Sequence, residues 1–218
     1  MRYRRGGLFA DTYIVGRESG RPRASETIID NGVLINVGEK NIVNGTFEIP
    51  KGVTKIGSGA FAKCKSLTNI EIPEGVKVIG DNVFYECSSL KNIKIPDRVN
   101  VIGSGTFRGC SSLTNIEIPE RVFEIGTLAF SGCSSLTNIE IPKGVFIIGH
   151  GAFGRCSSLT KIEIPEGVKV IENSVFAGCS RLTNVEIPEG VTRIGLAAFS
   201  GCSSLASIKI PEGVKVIE

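Results

Sequence analysis

Cysteine is the residue type best placed for chemistry in this chain: Cys64, Cys87, Cys110, Cys133, Cys156, Cys179 and Cys202 stand 23 residues apart, and there are no others. Thiols so placed could form disulfides or hold a soft metal. Seven cannot pair completely, and no Cys-x-x-Cys pair supplies the short ligand spacing of a zinc site. A fixed period of this size implies instead that equivalent side chains on successive turns point the same way. The column is therefore expected as buried free thiols, packed like small apolar groups.

A second column is acidic: Glu71, Glu117, Glu140, Glu163 and Glu186, with Lys94 and Lys209 in the same register. Paired carboxylates invite a glycosidase or calcium reading. Nothing around them would desolvate one carboxyl and split the pair's pKa values, so a solvated ladder on a concave face is expected, flanked by Asn69, Asn92, Asn115, Asn138 and Asn184. Such a face suits recognition better than catalysis. His150 is the only histidine, and the serines recur at every Cys-Ser-Ser turn, so no Ser-His-Asp arrangement can be argued; a loop residue is expected. Glycines recur once or twice per period and never open a long helix, which marks corners rather than a phosphate loop. No catalytic residue, metal or cofactor is expected.

The elements that must carry these columns follow from one repeat, Leu67-Thr68-Asn69-Ile70-Glu71-Ile72-Pro73-Glu74-Gly75-Val76-Lys77-Val78-Ile79-Gly80-Asp81-Asn82-Val83-Phe84-Tyr85-Glu86-Cys87-Ser88-Ser89. Ile70 and Ile72 alternate about Glu71, which gives a short strand with its apolar side inward. Pro73 closes the strand, Gly75 helps make a corner, and Val76 to Ile79 form a second extended piece. Phe84 and Cys87, three apart, suit one helical or 3₁₀ turn. Arg98 and Arg121 stand where most repeats have the corner glycine, so that corner is not expected to demand positive φ. Before the first repeat, Thr27-Ile28-Ile29-Asp30 and Val33-Leu34-Ile35-Asn36-Val37 flank Asn31-Gly32, a type I′ hairpin signal, and the hairpin is expected to cap the apolar seam.

The domain reading is a poorly ordered basic leader over 1–26, a hairpin cap over 27–46 and a solenoid of about eight rungs over 47–218, the last incomplete. The 218 residues carry net charge +3, but residues 1–26 hold six Arg against Asp11, Glu18 and Glu26, while the rest balances at 19 against 19. Nucleic acid is therefore not expected as a partner except through the Arg-rich leader. No stretch approaches the ~20 apolar residues of a membrane-spanning helix, and the Arg-rich start is not followed by the apolar run of a signal peptide.

The line Cys-Ser-Ser-Leu-Thr-Asn-Ile-Glu-Ile-Pro-Glu, then Gly or Arg, then Val, with Ile-Gly and Ala-Phe downstream, runs from Cys110 to Phe130 and resembles the BspA-type leucine-rich repeat. The resemblance extends over residues 47–218. It implies a β-rich solenoid, a right-handed curved array with parallel β ladders and short 3₁₀ or helical turns. It further implies a place on bacterial or protist cell surfaces, a role in adhesion and protein recognition, and no enzymatic residues.

Function is sought where the repeats disagree. The residue after the corner valine is Thr54, Lys77, Asn100, Phe123, Phe146, Lys169, Thr192 and Lys215, so two adjacent repeats place Phe where the others are polar. Phe123 and Phe146, extended by Ile147 and Leu128, are the candidate partner site; Glu71, Asn115, Glu117, Asn138, Glu140, Glu163 and Glu186 form the candidate concave face. A non-enzymatic module that binds a protein or glycan is expected. The alternative is a structural segment that pairs end to end, as a homo-oligomer, through an uncovered last rung at Val214, Val216 and Ile217.

Overall fold

The computed structural model describes Tyr13–Ile14 and residues 26–218; the expected leader over 1–26 falls almost wholly outside them. Strand β1 (Tyr13–Ile14) lies parallel to β2 (Thr27–Asp30), and β2 pairs antiparallel with β3 (Val33–Asn36). The connection has Asn31 at φ 47° and Gly32 at φ 75°, the left-handed pair that a type I′ turn requires. The second hairpin strand then pairs parallel with Lys55–Ile56, Leu34 opposite Ile56. The cap thus extends one ladder by a strand and buries Leu34 completely.

Beyond the hairpin the chain is a solenoid of about eight turns, here numbered by their prolines from Pro50 (rung 1) to Pro211 (rung 8). Each rung has three sides. The first is the Asn-Ile-Glu strand, with burial alternating exposed, buried, exposed at Asn69–Glu71. The corner follows, closed by the Val76 N–H donating to the Pro73 carbonyl at 2.9 Å. Its glycine is not left-handed in rungs 2 and 5 to 8, only Gly52 having positive φ, which is why Arg98 and Arg121 fit there without strain. The second side is the short strand Val78–Ile79 and its equivalents.

The third side departs from the expected helical turn. The Cys87 N–H does bond the Phe84 carbonyl three residues back, at 3.1 Å, but alternate N–H groups leave the rung. Asn82, Phe84 and Glu86 donate to the carbonyls of Ser104, Thr106 and Arg108 on the next turn, at 2.7–2.8 Å, and this ladder continues from rung 1 to rung 7. The alternation needs left-handed backbone twice per rung. Gly59, Asn82, Gly105, Leu128, Gly151, Ser174 and Ala197 supply one such column, and Lys63, Glu86, Gly109, Gly132, Arg155, Gly178 and Gly201 the other. A helix cannot form through residues that change hand every fourth step.

Inside, Phe61, Phe84, Phe107, Phe130, Phe153 and Phe176 are fully buried and stack with ring centroids 5.3–5.8 Å apart. The Leu, Ile and Val columns fill the rest of one continuous core. Rungs approach most closely at the glycine after the second strand. A Cβ built on Gly80, Gly126 or Gly149 would lie 2.7, 2.7 or 2.5 Å from a backbone nitrogen of the preceding rung.

Rung 6 has Glu172 in that column. There the second-side ladder is interrupted, Ile147–Ile148 and Val170–Ile171 belonging to different sheets, and a small apolar gap opens among Ile148, Ile164, Val168, Val170, Ile171, Val175 and Phe176. The third-side ladder between these two rungs stays intact, Phe153 N–H donating to the Val175 carbonyl at 2.9 Å, and Glu218 in the same column of rung 8 keeps its second-side pairing, so the glutamate by itself does not explain the interruption. The same ladder is also interrupted between Val78–Ile79 and Val101–Ile102; Gly103 occupies the column there, and the Asp81 carboxylate bonds the Ser104 N–H at 2.8 Å.

Candidate interaction surface

The thiols face inward. All seven cysteines are free and buried, and each Sγ–H from Cys87 to Cys202 donates to the carbonyl of a phenylalanine on the preceding turn, for instance Cys133 to Phe107 at 3.2 Å and Cys156 to Phe130 at 3.2 Å; Cys64 points to the Val37 carbonyl at 3.7 Å. That carbonyl also accepts the cysteine N–H of its own turn, so the column ties successive rungs through both lone pairs. Burial pushes the Cys110 and Cys179 thiols up to about 12 and the Cys133 and Cys156 thiols well above their ordinary range, which removes the thiolate needed for nucleophilic or metal chemistry. Among the described residues no three His, Cys, Asp or Glu side chains gather to hold a metal ion, and no helix is long and apolar enough to cross a membrane.

The acidic column lies on the exposed first side. Glu71, Glu117, Glu140, Glu163 and Glu186 are all exposed, as are Asn115 and Asn138. Asn92 Nδ2 donates to Asn69 Oδ1 at 3.1 Å across one step, and Thr137, Thr160 and Thr183 hydroxyls each donate to the threonine carbonyl one turn back at 3.1–3.4 Å. Glu163 is held by Lys161 Nζ at 2.6 Å, and this hydrogen bond and charge lower its pKa while raising that of Lys161. His150 is an exposed loop residue whose Nε2 lies 3.7 Å from Glu172 Oε2; the same oxygen accepts from Arg193 Nη2 at 3.0 Å. No described serine joins them.

The middle of the first side, like its last rung, lacks the strand pairing of rungs 1 to 3 and of rungs 6 and 7. Thr46–Glu48, Asn69–Glu71 and Asn92–Lys94 pair in register, as do Lys161–Glu163 and Asn184–Glu186, but rungs 4 and 5 contribute only a single bridge, Lys94 to Glu117. No backbone hydrogen bond engages Asn138, Ile139, Glu140 or Ile141, and the flanking Thr137-to-Thr114 and Thr160-to-Thr137 bonds are stretched to 3.4 Å. Here a groove of about 1100 Å³ opens, lined by Asn115 to Arg121, Asn138 to Lys143, Lys161 to Glu163 and Asp97. Glu117, Glu140 and Glu163 occupy three successive rungs, but like charge alone does not open the ladder, since Glu48 pairs with Glu71 and Glu163 with Glu186 in register.

Around the corner from the groove stands the aromatic pair. Phe123 follows Arg121 by two residues and Phe146 follows Lys143 by three. Their rings stack at 5.6 Å with 12° between planes. Phe146 is 52% exposed and Ile147 42%, whereas Phe123 is only half-buried to solvent because its neighbour covers it, so the exposed pair expected from the sequence is one open ring on one sheltered ring. On the side away from Phe123, Phe146 lies against rung 6, where a Cβ on Gly167 would sit 3.4 Å from the Phe146 Cβ. Leu128 is not part of the stack. It holds a left-handed position at φ 56° and lies over Gly151, where an added Cβ would be 2.8 Å from the Leu128 Cδ2.

Arg121, set aside in the sequence as a mere corner variant, and Lys143 and Asp97, not singled out there, all line the groove. The only sign of Arg121 was its break with the glycine column, which Arg98 shares without lining the groove.

Parallel ladders stacked at a 23-residue period, with the Leu, Phe and Cys columns inward, agree with the profile of the BspA type leucine rich repeat region, which matches residues 40–156 and 123–218 in six copies. The chain belongs to the BspA-type leucine-rich repeat family. A leucine-rich repeat protein from Bacteroides ovatus is similar at 36% identity and TM-score 0.74, over 76% of this chain and 43% of that one. The Treponema (T. pallidum) leucine-rich repeat protein is similar at 31% identity and TM-score 0.73, over 80% of this chain and 83% of that one. A leucine rich cell surface protein from Faecalibacterium prausnitzii, at 24% identity and TM-score 0.52 over 95% of this chain and 78% of that one, shares the fold. This BspA-type chain thus spans less than half the length of the Bacteroides ovatus protein. No curated protein matches it.

Proposed function

We propose that this BspA-type array is a non-enzymatic interaction module that docks a protein partner across rungs 4 to 6, the groove holding the partner's main contact and Phe123 and Phe146 anchoring its edge. The observation that carries this reading is a coincidence of place. The rungs where the strand ladder opens are those where the outward column turns aromatic, and an aromatic anchor beside a polar groove is the usual arrangement of an energetic centre and its rim. Catalysis has no support, since the buried thiols are protonated and the carboxylates stand in water.

The test places a photo-crosslinking phenylalanine at position 146, with position 215 in the same column as control, and compares adducts with proteins of the source cell's surroundings. Protein adducts formed from 146 and not from 215, and lost when Phe123 is changed to Ser, are expected. Equal labelling from both positions would remove the surface from consideration.

A further inference from the structure

The groove carries information about what fits it, and this inference rests on the docking surface just proposed. Its lining includes five carboxylates, Asp97, Glu117, Glu120, Glu140 and Glu163, against three cations, Arg121, Lys143 and Lys161. Lys161 is already engaged by Glu163 at 2.6 Å, while Glu117 and Glu140 make no ion pair among the described residues. Five carboxylates against three cations leave the lining with an excess of negative charge, which Lys94, on the adjoining rung and interacting with Glu117 and Asp97, offsets in part. The second observation is independent of charge: the four consecutive residues Asn138 to Ile141 leave their main-chain N–H and C=O groups without a backbone partner, between the paired strands of rungs 1 to 3 and those of rungs 6 and 7. Main-chain groups of that kind are satisfied by water or by another main chain.

We propose that rungs 4 to 6 bind an extended, lysine- or arginine-rich polypeptide segment. Its cations lie over Glu117 and Glu140, its main chain meets the open stretch at Asn138 to Ile141, and an apolar residue at one end reaches Phe146. No aromatic side chain lines the groove, so a sugar ring finds no stacking platform, and the excess of carboxylates repels a nucleic acid. A basic polypeptide is the occupant that satisfies charge, hydrogen bonding and the aromatic rim together.

The test uses the full chain and a fluorescein-labelled peptide of about ten residues alternating Lys and Val, with a Glu–Val counterpart and a cello-oligosaccharide as competing ligands. Anisotropy titration is expected to show the basic peptide binding at least about tenfold tighter than the acidic one, with affinity falling as salt rises. The double substitution Glu117→Gln with Glu140→Gln should weaken it about tenfold, and Glu71→Gln, outside the groove on the same column, less than about twofold. These side chains are exposed, so a circular dichroism spectrum matching the parent and a Tm no lower than the parent's exclude misfolding as the cause. Equal affinity for both peptides, tighter binding of the sugar, or indifference to the double substitution would overturn the proposal. If crosslinking from position 146 persists while the glutamate substitutions change nothing, the docking surface stands and its preference for cations falls; if both fail, the surface falls with it.

Discussion

Glycine 149 and glycine 75 look interchangeable in the repeat, yet the structure separates their substitutions by several kcal/mol. A Cβ on Gly149 would lie 2.5 Å from the Thr127 nitrogen, 2.8 Å from the Gly126 carbonyl carbon and 2.9 Å from the Thr127 Cα, all backbone atoms of a rung that the third-side ladder and the Phe stack hold in place. Relief requires the rungs to part, which strains the 2.8 Å bond from the Gly149 N–H to the Ile125 carbonyl. Overpacking of about 1–3 kcal/mol and a weakened hydrogen bond of about 1 kcal/mol give Gly149→Ala a cost of roughly 2–4 kcal/mol. At Gly75 the added Cβ meets only the Val53 carbonyl oxygen at 3.8 Å, an ordinary contact, and φ is not positive. Gly75→Ala should therefore be neutral or stabilise by up to about 1 kcal/mol, through the lower entropy of the unfolded chain. Urea unfolding followed by far-ultraviolet circular dichroism reads both. Equal costs, or a larger one at Gly75, would refute the view that rung spacing is set by backbone contact at the second glycine column.

Three further outcomes are expected. Phe130→Ala removes a fully buried ring stacked on both sides and should cost about 3–5 kcal/mol, whereas Phe199→Ala, only partly buried and with a single ring neighbour, should cost no more than about half of that in the same unfolding assay. The native thiols at Cys110 and Cys179 stay protonated up to about 12, while unfolded thiols ionise near 9.0, so their contribution is complete below pH 9 and lost as pH rises from 9 to 12, at about 1.4 kcal/mol per pH unit for each; a Tm flat across that window would contradict it. Glu140→Gln removes one of four successive carboxylates, Glu117, Glu140, Glu163 and Glu186, and should raise Tm by about 1–2 °C at low ionic strength, an increase that disappears in about 1 M salt.

Much of this architecture was legible because a repeat compares the chain with itself. The alternation at Asn69-Ile70-Glu71, the proline corner and the inward Cys and Phe columns each recur often enough to reveal their side of the rung, and the resemblance to the BspA-type repeat extended that to the whole solenoid. The spacing of Phe84 and Cys87 signalled one helical or 3₁₀ turn, and its three-residue bond is present; what it did not show is the ladder to the next rung, which the left-handed backbone at Asn82 and Glu86 makes in place of a continuing helix. Glycines at 59, 105, 109, 132 and 151 signalled that hand change, but Leu128 and Arg155 in the same columns concealed it. Phe123 and Phe146 were visible as departures, while the groove was not, since it depends on which ladder bonds form.

The sequence by itself determined the period, the inward and outward columns and the family, because side-chain polarity and the conformational limits of Pro and of Asn-Gly are local properties. Tertiary structure alone decided which glycines mark close contact, where the ladders open and how the two phenylalanines share solvent. Those depend on the distance between residues 23 positions apart in sequence, and that distance is a compromise among three ladders, a stacked core and the charges on neighbouring rungs.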